Sequence, residues 1–349
     1  MPAMKLLIVA QAVDRDDPNL GAFYYWFEML ARRAESVVIM TRRVPPRDHG
    51  LPVNVSVYSF DARSRVARLW KFWTLFSRHY AESDAALFHQ IPEYAIAASP
   101  FLISLKKVTA LWYAHGAVSW RLRIAERLVG YIFTSSRAGF RLPSKKVHHL
   151  GQAINTGLFR PAADGGGSRG DEVRLISVGR IAPVKNYETI VEACALLRDA
   201  GDPDWTLAVV GAPITDRDRV YAGQLNMLIR EKNLESRVRF YDKRGYSEIP
   251  DILRRHDVFL NASATGSLDK AVLEAMACGL SVLTSNDAYR TILPPPYFLG
   301  DRASGLMARR IREVAREPRP NGVLRDIVVR DHALEGMMAK MAALLATPV

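Results

Sequence analysis

The chain has 349 residues, 49% hydrophobic and 24% charged, with a formal net charge of +12 at pH 7. That length suits two domains, because single cores stop growing near about 250–300 residues, and the composition reads as ordinary globular protein. No apolar run approaches the ~20 residues of a membrane span, and the two cysteines offer neither a disulfide framework nor a metal cluster.

The first apolar run, residues 6–10, is shorter than a signal-peptide core. It is followed by Gln11 and acidic residues, not by a cleavage site, so it reads as a buried strand. Further strands are expected at 37–40, 53–59, 86–90, 108–111, 131–134 and 147–150, with helical patterns such as 22–33 and 120–128 between them. Alternating β and α elements imply a parallel sheet covered on both faces. Within this half, residues 63–80 read as a basic, aromatic helix. Val66, Leu69, Trp70, Trp73 and Phe76 are expected on one face, with Arg63, Arg65, Arg68 and Lys71 around them. Such a helix suits an anionic bilayer surface, and equally a core-packed helix with snorkelling arginine stems.

Residues 162–170, rich in glycine, have no periodicity and read as a flexible loop near a domain boundary. The alternation then restarts. Strands are expected at 174–178, 206–210, 238–241, 258–261 and 281–284, and helices at 187–199, 221–232 and 270–278. Cys194 and Cys278 sit in apolar patterns as small core residues, which points to a reducing cytoplasm. The expected architecture is α/β, with two Rossmann-like doubly wound parallel-sheet domains over 1–160 and 172–318. A helical tail over 319–349 follows, with its helix at 333–345. Ligands of such sheets bind beyond the carboxyl ends of strands, so two facing domains would hold substrates in a cleft.

Two windows carry chemistry. In residues 175–186 an apolar strand ends in Gly179-Arg180, and Lys185 follows just before a helix. Gly179 permits close backbone approach, Arg180 suits bidentate phosphate contact, Lys185 supplies a compact charge, and the helix start favours an anion. In residues 261–279 a strand runs into a small-residue loop, Thr265-Gly266-Ser267-Leu268, and then into an apolar helix bearing Glu274. The loop offers unhindered N–H groups. Glu274 either pairs structurally or accepts two hydroxyls of a ribose.

Together these windows resemble the retaining nucleotide-sugar glycosyltransferases of family 4, which have the GT-B fold. Residues 273–282 resemble that family's hallmark helix and following strand, residues 153–161 its interdomain segment, and Ala114-His115-Gly116 its histidine loop. The resemblance implies that Arg180 and Lys185 neutralise the donor diphosphate and that Glu274 binds the ribose. It places His115 against the donor sugar and has the 265–268 loop supply backbone contacts, with no metal and no cofactor. Gly21, in Asn19-Leu20-Gly21-Ala22, matches the acceptor-side glycine loop, with one glycine where the family often has two. The implied partners are a nucleotide-sugar donor and a glycan or lipid-linked acceptor, at a cytoplasmic location that extends to peripheral membrane attachment. One departure stands out. The family usually has a second glutamate eight positions before the hallmark one, and here that position is Gly266, with Asp269 the nearest carboxylate. The alternatives are a non-catalytic nucleotide-sugar binder and a nucleotide-sugar epimerase. Nucleic-acid binding rests on charge alone and is not expected. No Gly-x-Gly-x-x-Gly follows a first strand, which argues against a nicotinamide dehydrogenase.

Overall fold

A computed structural model describes residues 4–44, 50–163, 172–201 and 204–347; most of the glycine-rich 162–170 run lies outside them. The chain forms two compact units, Met1–Asn155 with His332–Val349, and Thr156–Asp331.

In the first unit the strands are β1 (Lys5–Ala12), β2 (Ser36–Arg43), β3 (Val55–Ser59), β4 (Ala85–His89), β5 (Val108–Trp112), β6 (Tyr131–Thr134) and β7 (Val147–His149). They form a seven-stranded sheet in the order β3-β2-β1-β4-β5-β6-β7, parallel at every pairing. Successive β1 side chains enter opposite cores. Leu6, Ile8 and Ala10 join the cluster formed with helices Gly21–Ala31 and Leu334–Leu345, while Leu7 and Val9 face Phe72, Phe76, Leu102 and Leu122. Burial on both faces explains why β1 and β4 read as apolar runs.

The 319–349 tail is divided between the units. Gly322–Asp331 belongs to the second, and Leu334–Leu345 to the first. Leu334, Met337, Met338, Met341 and Leu345 share one helical face and are buried in the first core. Backbone bonds from Ile154 to His332 (2.7 Å) and from Leu334 to Ile154 (2.8 Å) fix the returning chain. Beyond Asn155, the Arg254 guanidinium donates to the carbonyls of Leu158 and Arg160, both at 2.9 Å, and so ties residues 156–161 to the second unit.

The helix Arg65–Glu82 departs from the single apolar face its sequence suggests. Ser64 caps it by accepting the Ala67 N–H at 3.1 Å. Phe76 is buried with Phe72 and Tyr80, and the Trp73 indole donates to Ala97 O at 2.8 Å. Only Val66, Leu69 and Trp70 remain outward, 67%, 39% and 63% exposed, on the first two turns beside Arg65 and Lys71. No helix among the described residues is long and apolar enough to cross a membrane.

The second unit has β8 (Val173–Val178), β9 (Trp205–Val210), β10 (Val238–Tyr241), β11 (Val258–Asn261) and β12 (Ser281–Thr284), in the parallel order β10-β9-β8-β11-β12. The chain moves outward from β8 through β9 to β10, then returns to the other side at β11. The switch point therefore lies at the carboxyl ends of β8 and β11. At the opposite ends Asp257, just before β11, accepts the Arg174 N–H (2.7 Å) and guanidinium (3.0 Å) and also pairs with Arg319.

Gly279, after helix Lys270–Ala277, has φ +82°, and a Cβ there would lie 2.5 Å from Pro320 Cβ. Gly279→Ala is expected to lower stability by about 2–3 kcal/mol through strain and overlap. Urea unfolding of the variant checks it, and an unchanged midpoint would contradict it.

Candidate functional site

The expected donor-binding residues of the second unit gather at its switch point. The end of β8 is set by backbone bonds, with Gly179 N–H donating to Val210 O at 3.0 Å and Ile181 N–H to Ala212 O at 3.2 Å. Gly179 lies under Lys185, whose Cε and Nζ would be 3.4 and 3.5 Å from a Cβ at that position. The buried Tyr187 hydroxyl donates to Gly179 O at 3.1 Å and so steadies the strand end.

Arg180 follows Gly179 and is 43% exposed; its Nε is 3.8 Å from Asp218. Asp218 is already occupied. It accepts the N–H groups of Thr215 (3.0 Å) and Ile214 (3.2 Å) in the capping box that starts helix Asp216–Glu231. These N–H groups, with help from Arg180, hold the Asp218 carboxyl below its usual range. Arg180 is thus loosely held and able to reach a ligand.

Lys185 is more constrained. Its amine forms an ion pair with Asp269, and the two side chains are only 16% and 13% exposed. Asp269 also accepts from Asn261 Nδ2 at 3.0 Å, and Asn261 Oδ1 accepts the Thr284 hydroxyl at 2.9 Å. The Tyr289 hydroxyl donates to the Asp269 carbonyl at 2.6 Å. Asp269 stands out in the sequence only as the carboxylate nearest to Gly266; Asn261 and the tyrosines carry no pattern that marks them as site residues, although a buried asparagine ending the apolar strand β11 is a hint.

At the start of helix Tyr187–Asp199, where the sequence predicts an anion seat, one amide is already engaged. Tyr187 N–H, the first of that helix, donates to the Tyr221 hydroxyl at 2.8 Å, and Tyr221 in turn donates to Glu188. This amide is therefore spent internally and is not among the first-turn donors offered to an anion.

The 262–268 loop is pinned to its surroundings. Ala264 N–H donates to Val184 O at 2.9 Å and Asn286 Nδ2 to Ser267 O at 2.9 Å. The Thr265 hydroxyl donates to Ser267 O at 3.4 Å, and Leu268 is buried in the core. Gly266 has φ +65°. A glutamate would be strained in that left-handed conformation.

Glu274 is 5% exposed, and its Oε1 accepts the Tyr246 hydroxyl at 2.8 Å. Burial pushes its carboxyl up to about 7, opposed by the Lys270 charge and by Tyr246. Burial likewise pulls the Lys270 ammonium down to about 8. A raised carboxyl binds its proton more tightly when folded. Its stabilising contribution is complete below the unfolded value of 4.5 and is lost as pH rises through about 7. Glu274→Gln is expected to remove a fall of roughly 2–3 kcal/mol over that window. Urea unfolding of both proteins at pH 5 and pH 8 checks it, and parallel slopes would contradict it.

The other expected residues belong to the first unit. His115, after β5, is exposed, and its Nδ1 accepts the Ala117 N–H at 3.2 Å, which leaves the ring proton on Nε2 in the neutral form. Gly21 opens helix Gly21–Ala31, with its N–H donated to Asp17 O at 2.8 Å.

Comparison with known proteins bears on the family and the fold. Residues 162–291 match the family described as glycosyl transferases group 1. The D-inositol 3-phosphate glycosyltransferase of Jonesia denitrificans is 27% identical over 154 residues, 41% of this chain and 36% of that protein. The mannosylfructose-phosphate synthase of Agrobacterium fabrum is 25% identical over 148 residues, 40% of this chain and 32% of that protein. The chain thus spans about a third of the length of these curated relatives. Among solved structures, Anabaena HepE in complex with UDP and glucose superposes with a TM-score of 0.76 at 14% identity, covering 99% of this chain and 100% of that one. Sucrose-phosphate synthase from Thermosynechococcus elongatus gives 0.74 at 17% identity, covering 98% of both chains. The chain therefore has the two-unit parallel α/β fold of the GT-B glycosyltransferases, and its residues 162–291 match the group 1 glycosyl transferase family.

Proposed function

We propose that this chain is a retaining glycosyltransferase that moves a sugar from a nucleotide-sugar donor to a glycan or lipid-linked acceptor without a metal ion. The observation that carries this reading is the meeting of Arg180, Lys185 and the pinned 262–268 loop at the β8/β11 switch point, inside the segment that matches the family. Glycosyl transfer breaks the bond between the sugar's anomeric carbon and a diphosphate oxygen, so negative charge grows on the departing nucleoside diphosphate. Arg180 and Lys185 would neutralise that charge as it develops. Glu274 would accept ribose hydroxyls once ionised. The His115 Nε2 proton would serve a hydroxyl or oxyanion of the donor sugar. Gly21 and its loop would face the acceptor.

The test is a panel of UDP-, GDP-, ADP- and dTDP-sugars, with and without EDTA, assayed for nucleoside diphosphate release and for sugar transfer to glycan and lipid-linked acceptors. Release that survives EDTA, with the product linkage keeping the donor's anomeric configuration, supports the reading. A second reading, a nucleotide-sugar binder without turnover, is favoured by Gly266 and by the Lys185–Asp269 pair. Binding with no release from any donor would select it.

The location proposed is the cytoplasm, at the surface of an anionic membrane. Val66, Leu69 and Trp70 beside Arg65 and Lys71 are the contact proposed. The chain is expected to sediment with anionic vesicles at low ionic strength and Trp70→Glu to remain in solution. Equal sedimentation of the two would refute this contact.

A further inference from the structure

We propose that Asp269 is a built-in counter-anion that occupies the phosphate-facing side of Lys185 and sets how tightly the chain holds a nucleoside diphosphate. The proposal rests on the donor-binding reading above and adds to it a residue that competes with the ligand.

Four observations carry it. First, Lys185 and Asp269 lie in the segments that follow the two strands flanking the switch point, and both are largely withdrawn from water. Their attraction is therefore screened less than that of a surface pair. Second, the carboxylate is held in place. Asn261 Nδ2 donates to it at 3.0 Å, Thr284 fixes Asn261, and Tyr289 holds the Asp269 carbonyl. Third, Asp269 stands at the N-cap of helix Lys270–Ala277, yet its side chain caps none of that helix's amides. An aspartate there usually turns toward its own helix; this one turns to Lys185 across 84 positions of sequence. Fourth, the neighbouring cation is held differently. Arg180 is more exposed, and its aspartate, at 3.8 Å, is already engaged in a capping box.

These facts assign an order to binding. An arriving diphosphate meets Arg180 first, because that guanidinium is accessible and weakly paired. It gains Lys185 only by drawing the amine away from Asp269. Removing the Asp269 charge while keeping its shape should therefore strengthen binding, and the gain must pass through Lys185.

Asp269→Asn meets that condition, since an amide oxygen can still accept from Asn261. The measurement is calorimetric titration of the full chain with UDP and GDP, in wild type, Asp269→Asn, Lys185→Ala and the double variant. Asp269→Ser, a second way to remove the charge, guards against a folding defect in the first. The expected result is about tenfold tighter binding in Asp269→Asn and in Asp269→Ser. In the double variant the affinity should stay within about threefold of Lys185→Ala alone. Wild-type binding that is unchanged or weakened by both charge-removing variants would overturn the proposal and leave the functional reading standing. A gain that persists without Lys185 would also overturn it. No binding of any nucleotide by any form would remove the functional reading and this proposal with it.

Discussion

Gly211→Ala is expected to disrupt the carboxyl end of the second sheet and to abolish nucleotide binding. Gly211 follows β9, and its N–H donates to Tyr241 O at 3.0 Å. A Cβ added there would overlap Gly179 O and lie 2.9 Å from the Gly179 carbonyl carbon. Neither atom can move cheaply. Gly179 donates to Val210 O, and its carbonyl accepts the Tyr187 hydroxyl. Relief requires the ends of β8 and β9 to part, which breaks those bonds and displaces Arg180 and Lys185. Overpacking and strain of this kind cost about 3–5 kcal/mol, at the upper end of single substitutions. Thermal and urea unfolding of the purified variant check the result; wild-type stability with intact binding would contradict it.

Lys185→Ala is expected to weaken nucleoside diphosphate binding about a hundredfold, and Arg180→Ala about tenfold. The ranking follows from the surroundings. Deleting Lys185 removes an attractive charge that is only 16% exposed, where its contact with a phosphate is screened less by water. Deleting Arg180 removes a more exposed charge, and Asp218 keeps its backbone donors. Lys185→Ala also leaves the Asp269 carboxylate, 13% exposed, without a counter-ion, so some loss of stability should accompany it. Titration of both variants checks the order, and an Arg180 effect larger than the Lys185 effect would show that the two roles are reversed.

The central strands were legible because they are covered on both faces, so β1, β8 and β11 appear as short apolar runs between helical patterns. Gly179, Arg180, Lys185 and Glu274 could be named because a strand end, a glycine and a helix start recur in fixed local order. What could not be read locally was pairing. Nothing in the local pattern joins Lys185 to Asp269 or Tyr246 to Glu274, because both contacts are made by the fold and not by neighbouring residues. The 63–80 segment illustrates a different limit. Helical periodicity puts Val66, Leu69, Trp70, Trp73 and Phe76 together. The core, however, takes Phe76 and draws in Trp73, because Ala97 and the aromatic cluster around Phe72 lie beneath the helix's middle turns. The path of the final helix back to the first unit likewise depends on a buried methionine-rich face finding helix Gly21–Ala31, a contact made only in three dimensions.

The central claim, that the second unit holds a nucleoside diphosphate through Arg180 and Lys185, is tested most directly by titrating the wild-type chain with UDP, GDP, ADP and dTDP and with their sugar conjugates. Saturable one-site binding of at least one nucleotide, weakened by Arg180→Ala and more so by Lys185→Ala, is the predicted result. Absence of binding by all of them, or affinity indifferent to both substitutions, would contradict it.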